Sequence, residues 1–330
     1  MVKIVDVARA AGVAPSTVSR ALNGDPTVTQ EYLDRVREAA EALGYRPNRV
    51  ARSLRRQSTD VVALIIPDVG NNFCTAITRG VEDVAREAGL SVLLCNSDED
   101  SAKEAMYLDI AEAQRVAGVV IAPHSQDADV SLVVDSGIPV VAIDRHLGDK
   151  VDSITTDSRT GAREATAHLL EAGWERPGCC GGPRDIETAW WRADGYRDAV
   201  EEAGVPATIA HGTYDREGGA AAAAELLDGH PELDSLFISN EQMALGVLAE
   251  LGRRGLRPGV DMGVLTFDDT PWAPLMAPPM SVVEQPAYEI GARAARLLTD
   301  RIRGDVSGTP CHEVLPTRLV VRESSRRATR

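Results

Sequence analysis

Residues 4–23, IVDVARAAGVAPSTVSRALN, constrain the chain more than any other stretch, because they spell two short helices joined by a turn at Gly12. Ile4, Val7, Ala8 and Ala11 recur at i, i+3, i+4 and i+7, the spacing of one apolar helix face. Gly12 stops that helix, since glycine takes up the left-handed backbone of a helix end at no steric cost. Pro15 suits a first helical position, and Val18, Ala21 and Leu22 give the second helix a small apolar face of its own. Its other face, with Pro15 at the start, is Ser16, Thr17, Ser19, Arg20 and Asn23. Short donors and acceptors with one guanidinium reach base edges and phosphates when a helix lies in the major groove. A third periodic segment follows Thr29, read as its N-cap, and sets Leu33, Val36, Ala40 and Leu43 on one side. Three helices in fewer than fifty residues form a minimal DNA-reading module of the helix-turn-helix kind. The competing reading is a plain helical pair, which shows the same periodicity.

Beyond Tyr45 the pattern changes. Arg46-Pro47 breaks the third helix, and Asn48 can cap a short new one that carries Val50, Ala51 and Leu54 among Arg49, Arg52, Arg55 and Arg56. A helix so short, below the roughly 12–15 residues needed for stability alone in water, must borrow order from a partner.

The strings DVARAAGVAPSTVSRALNG, VTQEYLDRVREAAEALGYRPN and ARSLRRQST occur in this order, and through them the chain resembles the lactose/galactose repressor (LacI/GalR) family. The resemblance implies that the hinge helices of two subunits pair in the minor groove, with Leu54 levered between base pairs and Asn48, Ala51 and Arg52 on the DNA beside it. It also implies a homodimer whose heads reach half-sites about 10 base pairs apart or a multiple of that. Two departures weaken the head: Lys3 stands where Thr or Ser usually caps the first helix, and Ala14 where Ser caps the second. A missing cap costs roughly 0.5–2 kcal/mol, part of which Asp6 returns through the helix dipole.

The net charge of −15 argues against nucleic acid until its distribution is considered. Residues 1–60 hold ten Lys/Arg against seven Asp/Glu, or +3, whereas the remaining 270 hold 25 against 43, or −18. A basic head on an acidic body suits docking on phosphate through one end. Five scattered cysteines, Cys74, Cys95, Cys179, Cys180 and Cys311, lack metal-ligand spacing and read as thiols of a reducing compartment. The opening MVKIVDVARA has no secretory apolar region, and no apolar run approaches the roughly 18 residues of a membrane span. A soluble, cytoplasmic protein is expected.

From Asp60 onward strands and helices alternate. VVALII, SVLLC, GVVIA and PVVAI are β-branched runs of the kind buried in parallel sheets, with helices expected from Thr75, Ser101 and Asp129. CCG, ATIAH, SLFIS and MGVLTF form a second set, with helices near Ser158, Glu187, Arg216 and Glu241. The expected fold is α/β: a three-helix head over residues 1–46, a hinge helix and linker over 47–59, and a two-lobed, doubly wound core over 60–330. The resemblance names that core periplasmic-binding-protein-like. Its N-lobe should hold about 60–157 with 287–315, and its C-lobe about 158–286 with 316–330.

Ligands of doubly wound sheets bind at the carboxyl ends of strands. Phe73 follows the first strand and could stack on a ligand ring; Asp144 and Asp268 leave buried strands and could accept paired hydroxyl hydrogen bonds. Arg192, in WWRADGYR, could offer a bidentate fork, and Asn240 both donor and acceptor. In the family the positions matching Phe73, Asp144, Arg192, Tyr214, Asn240 and Asp268 line the effector cleft. Ordinary turn chemistry is the competing reading for each. NNF in place of Asn-Pro-Phe, Glu241 in place of Asp, and Thr266 in place of Gly point to a remodelled cleft, with Trp190 and Trp191 as unusual neighbours of Arg192.

Catalysis finds no motif: no G-x-G-x-x-G follows a strand, and the chain has no phosphate-binding loop and no G-x-S-x-G elbow. The six histidines lack H-E-x-x-H spacing, so neither a metal nor another cofactor is expected. The expectation is a non-enzymatic regulator, a repressor of operator DNA controlled by a small polyhydroxyl effector such as a sugar. The sign of that control, induction or co-repression, stays open. The alternative is a sugar-binding protein without a regulatory role, for which the head is the discriminating feature.

Overall fold

The computed structural model describes residues 2–22, 25, 27–45 and 59–327. Asn23, Asn48, Ala51, Arg52 and Leu54, and with them the expected hinge helix, lie outside the described residues. The chain divides into two compact units, Met1–Ser58 and Thr59–Arg330, and each is taken by itself.

In the first unit α1 (Ile4–Ala11), α2 (Pro15–Leu22) and α3 (Gln30–Ala42) bury Val7, Ala8 and Ala11, Val18 and Ala21, and Val36, Ala39 and Ala40 against one another. Gly12 ends α1 at φ +65°, and Arg35 of α3 donates to the Ala11 carbonyl at 2.6 Å, closing one of the helix's open acceptors. At the other end Asp6 accepts from the Lys3 N–H at 2.9 Å, so the first-turn acid makes half of a capping box as well as a dipole contact. Two expectations shift. Thr29 precedes α3 but its hydroxyl makes no cap bond, and Leu43 is exposed, because α3 ends at Ala42 and Ala39 takes its place in the core.

The second unit holds two six-stranded sheets. The first is ordered β11-β5-β4-β3-β1-β2, from β1 (Val61–Ile66), β2 (Ser91–Asn96), β3 (Gly118–Ile121), β4 (Val140–Ile143), β5 (Asp152–Thr156) and β11 (His312–Leu315), all parallel. The second repeats that order as β12-β10-β9-β8-β6-β7, from β6 (Pro177–Gly181), β7 (Ile209–His211), β8 (Ser235–Ile238), β9 (Gly263–Phe267), β10 (Ser281–Glu284) and the antiparallel β12 (Arg318–Val320). Both sheets are packed on two faces, which is why their strands read as continuous apolar runs: Val62, Leu64 and Ile66 of β1 enter one cluster, Ala63 and Ile65 the other. The flanking helices are α4 (Asn72–Glu87), α5 (Ser101–Ala113), α6 (Ser131–Asp135), α7 (Ser158–Glu171), α8 (Glu187–Glu202), α9 (Arg216–Gly229), α10 (Glu241–Arg253) and α11 (Ala287–Arg303).

The chain passes between the lobes after β5, after β10 and after β11. These passages are tied together: Asp157 N–H donates to the Leu315 carbonyl at 3.0 Å, and Thr156 Oγ1 to Gln285 Oε1 at 2.5 Å. Glycines set the helices that frame the cleft. A Cβ on Gly80 of α4 would fall 2.2 Å from the Tyr288 carbonyl, and one on Gly246 of α10 would fall 1.9 Å from that of Arg216. Neither approach leaves room for a side chain.

Candidate functional site

On α2, Pro15, Ser16 and Arg20 are exposed and Thr17 and Ser19 half-buried, while Val18 and Ala21 turn inward. The amphipathic split thus leaves one polar face on the surface. Arg20 Nη1 lies 3.4 Å from Thr27 Oγ1, which in turn donates to Asp25 at 2.5 Å. Those Thr27 bonds hold the Asp25 carboxyl below the usual range, keeping an anion near the guanidinium.

In the second unit one cleft, partly open to solvent, lies where the carboxyl ends of both sheets face each other. Phe73, Asp144, Arg192, Tyr214, Asn240 and Asp268 all line it. Phe73 is not in a loop, as its place after GNN suggests. Asn71 accepts from the N–H groups of Phe73 and Cys74 at 2.8 and 3.4 Å, and this cap starts α4 at Asn72, ahead of Thr75.

Asp144 follows β4 and Asp268 follows β9, each the third strand of its sheet, and each takes a left-handed backbone, φ +66° and +70°. Two lobes of one topology therefore supply matching carboxylates. Burial pushes both carboxyls above the usual range; for Asp144 this outweighs the opposing charges of Arg145 and Arg192, and for Asp268 that of Arg192 and the Gln285 hydrogen bond. Gln285 Nε2 reaches Asp268 Oδ1 at 2.6 Å. Arg192 is 4% exposed, donates Nη1 to the Ser239 carbonyl at 2.8 Å and stacks 4.1 Å over the Phe267 ring. Arg145, 3% exposed, grips Glu99 with two bonds of 2.8 and 2.6 Å. Asn240 also caps α10, accepting from Met243 N–H at 2.9 Å.

Arg145 Nε, Arg192 Nε and Tyr214 Oη are buried without a hydrogen-bond partner, all on residues that line the cleft. An unpaired buried polar atom costs about 1–3 kcal/mol, so three around one cleft, from both lobes, describe a surface built to meet polar groups. Glu99, Thr188 and Gln285 also line the cleft and escaped the sequence reading. Gln285 could have been sought just after β10; Glu99 carries no local signal, since its partner lies 46 residues away.

Elsewhere, His124 sits between Glu104 at 2.7 Å and Ser125 at 3.3 Å, and His146 and His312 both contact Ser153. Four cysteines are buried and Cys311 is exposed, all five free. Among the described residues no group of three or more His, Cys, Asp or Glu is arranged to hold a metal ion, and no helix is long and apolar enough to cross a membrane.

A family model described as bacterial regulatory proteins, lacI family, matches residues 3–48, and a periplasmic binding protein-like domain matches residues 166–325. The ribose operon repressor of Halalkalibacterium halodurans is 34% identical over 330 residues, 99% of this chain and 98% of its own length. A solved complex of the transcriptional regulator CelR with cellobiose aligns at a TM-score of 0.75 and 33% identity, covering 98% of this chain and 100% of that one. The lac repressor dimer bound to operator and the anti-inducer ONPF aligns at 0.86 with 24% identity, covering 98% and 99%, and attests the fold. With a helix-turn-helix head, a two-lobed core and this likeness along its whole length, the chain belongs to the LacI family of bacterial transcriptional regulators.

Proposed function

We propose that the protein is a homodimeric repressor of operator DNA, acting in the cytoplasm and without enzymatic activity, whose affinity for the operator is set by a neutral polyhydroxyl ligand, a sugar or sugar derivative. The observation that carries this reading is the convergence of Phe73, Asp144, Arg192, Tyr214, Asn240 and Asp268 on one cleft whose wall includes buried polar atoms without partners. Carboxylates accept paired hydroxyls, guanidinium N–H groups donate to them, and an aromatic ring packs on the apolar face of a sugar ring. Solved structures of relatives with cellobiose and with ribose support that chemistry.

Pro15, Ser16, Thr17, Ser19, Arg20 and Asn23 are the proposed major-groove contacts, and Asn48, Ala51, Arg52 and Leu54 those of the hinge. Ligand binding would alter lobe closure and with it the pairing of the hinges, a coupling typically of 1–3 kcal/mol, or 5- to 150-fold in operator affinity. The test is thermal-shift screening of the full-length protein against neutral sugars and nucleosides, followed by titration of a duplex selected from a random library, with and without each hit. A selected duplex whose affinity changes at least fivefold with a hit is expected. No preference over random competitor at moderate salt, with or without ligand, would overturn the reading.

A further inference from the structure

A second cavity of about 380 Å³ adjoins the ligand cleft, and Phe73, Asp268 and Gln285 line both. The second cavity alone is of small-ligand size, within roughly 300–1,000 Å³. We infer that the cleft continues into an outer subsite and that the effector is a neutral glycoside of at least two rings, one on either side of Phe73; this rests on the sugar reading of the cleft.

The outer hollow exists because its walls are small. Ala76, Pro286 and Ala287 line it where larger side chains would fill it, and Ala76 is only partly buried. Three of its four acids are ion-paired, the fourth being Asp268, which it shares with the cleft. Asp269 is held by Arg322 at 3.1 and 2.6 Å, Glu284 by Arg318 at 2.7 Å and Glu289 by Arg293 at 2.7 Å. Carboxylates compensated in this way keep lone pairs for hydroxyl donors but offer an uncompensated field neither to an ammonium nor to a phosphate. With the ring of Phe73 and the flat Pro286 beside them, they match a pyranose, which is apolar on its faces and hydroxylated at its edge.

Isothermal titration of the full-length protein with glucose, ribose, cellobiose, maltose, sucrose and trehalose tests the inference, with Ala76→Trp and the milder Ala76→Phe to fill the outer hollow. At least one disaccharide is expected to bind tenfold or more tightly than the monosaccharides. Either variant should remove that gain while holding monosaccharide affinity within about twofold and melting within a few degrees of the parent. Should monosaccharides bind and no disaccharide bind more tightly, or should the gain survive both variants, the outer subsite falls and the sugar reading stands. If no sugar binds, both fall together.

Discussion

Asp268→Asn isolates the charge of one cleft carboxylate from its shape. Asp268 holds φ +70°, a left-handed backbone that costs most residues about 1–2 kcal/mol but that Asn, like Asp, adopts routinely, so the exchange leaves the backbone unstrained where Ala would not. Asn Oδ1 can still accept from Gln285 at the 2.6 Å seen for the parent. What is lost is the negative charge. Hydrogen bonds to a charged acceptor contribute about 1.5–3 kcal/mol against roughly 1 for neutral ones, so ligand affinity should fall on the order of 10-fold, while operator affinity without ligand stays within about twofold.

Stability should move the other way. Burial raises the Asp268 carboxyl above the ordinary carboxylate range in spite of Arg192 and Gln285, so the native state holds this proton at a pH where the unfolded chain has released it. A raised acid of this kind favours the fold as pH falls toward the ordinary range, and weighs against it once pH rises above the folded value. Asp268→Asn should therefore melt no lower than the parent at pH 7, and its gain in Tm on acidification from pH 7 should be smaller by the share of this one group. Calorimetry across pH 5–8, beside titration of the ligand found by screening, reads both. A variant that melts several degrees lower at pH 7, or that binds ligand as the parent does, would refute the assignment.

Arg20→Ala should weaken specific operator binding by about 1–3 kcal/mol, the scale of a lost base or phosphate contact, with ligand affinity unchanged; equal losses in both, by anisotropy and calorimetry, would deny the division of labour. Asp152→Ala removes a buried acid that takes two bonds from Arg301, at 2.9 and 2.7 Å, and one from Cys311 N–H at 2.7 Å. It should cost the core about 3–5 kcal/mol in urea denaturation, and a loss below 1 would show the pair to be dispensable. Thr156→Val removes the hydroxyl that bonds Gln285 Oε1 between two inter-lobe passages; ligand affinity should change less than about threefold while the ligand's effect on operator binding shrinks, and an unaltered effect would clear this bond of any part in coupling.

The elements the sequence revealed are those whose apolar pattern is set by packing on both sides of a sheet, β1, β3, β4, β8 and β9 among them. β5 escaped notice because DSITT carries almost no apolar signal. It is nonetheless buried, with Asp152 held by Arg301 and Ser153 by His312, partners supplied from far along the chain, and by the nearby His146. β2 erred in the opposite sense: SVLLC reads as a buried strand but lies at the sheet edge, where Leu94 is 44% exposed. Strand-end residues of the cleft could be located because the topology sends every such end to one side. The bonds among them could not, since Glu99 with Arg145 and Asp268 with Gln285 are joined only by the fold.

A cleft assembled from two like lobes makes closure the natural quantity for a ligand to control. Asp144 and Asp268 stand at matching strand ends of separate sheets, Arg192 acts on both, and the charge of Asp268 is among those that raise Asp144. A hydroxylated ligand that bonds to both carboxylates gains the second bond only in the geometry that brings both lobes to it, so its affinity differs between open and closed forms, which is the condition for shifting their populations. One such charged bond contributes about 1.5–3 kcal/mol, the same scale as the 1–3 kcal/mol of a typical allosteric coupling. On the proposed reading, losing a single carboxylate contact should therefore remove most of the response. Gln285 hydrogen-bonds both Asp268 and Thr156, so the proposed contact is one residue removed from the passages between the lobes, which is what Thr156→Val tests.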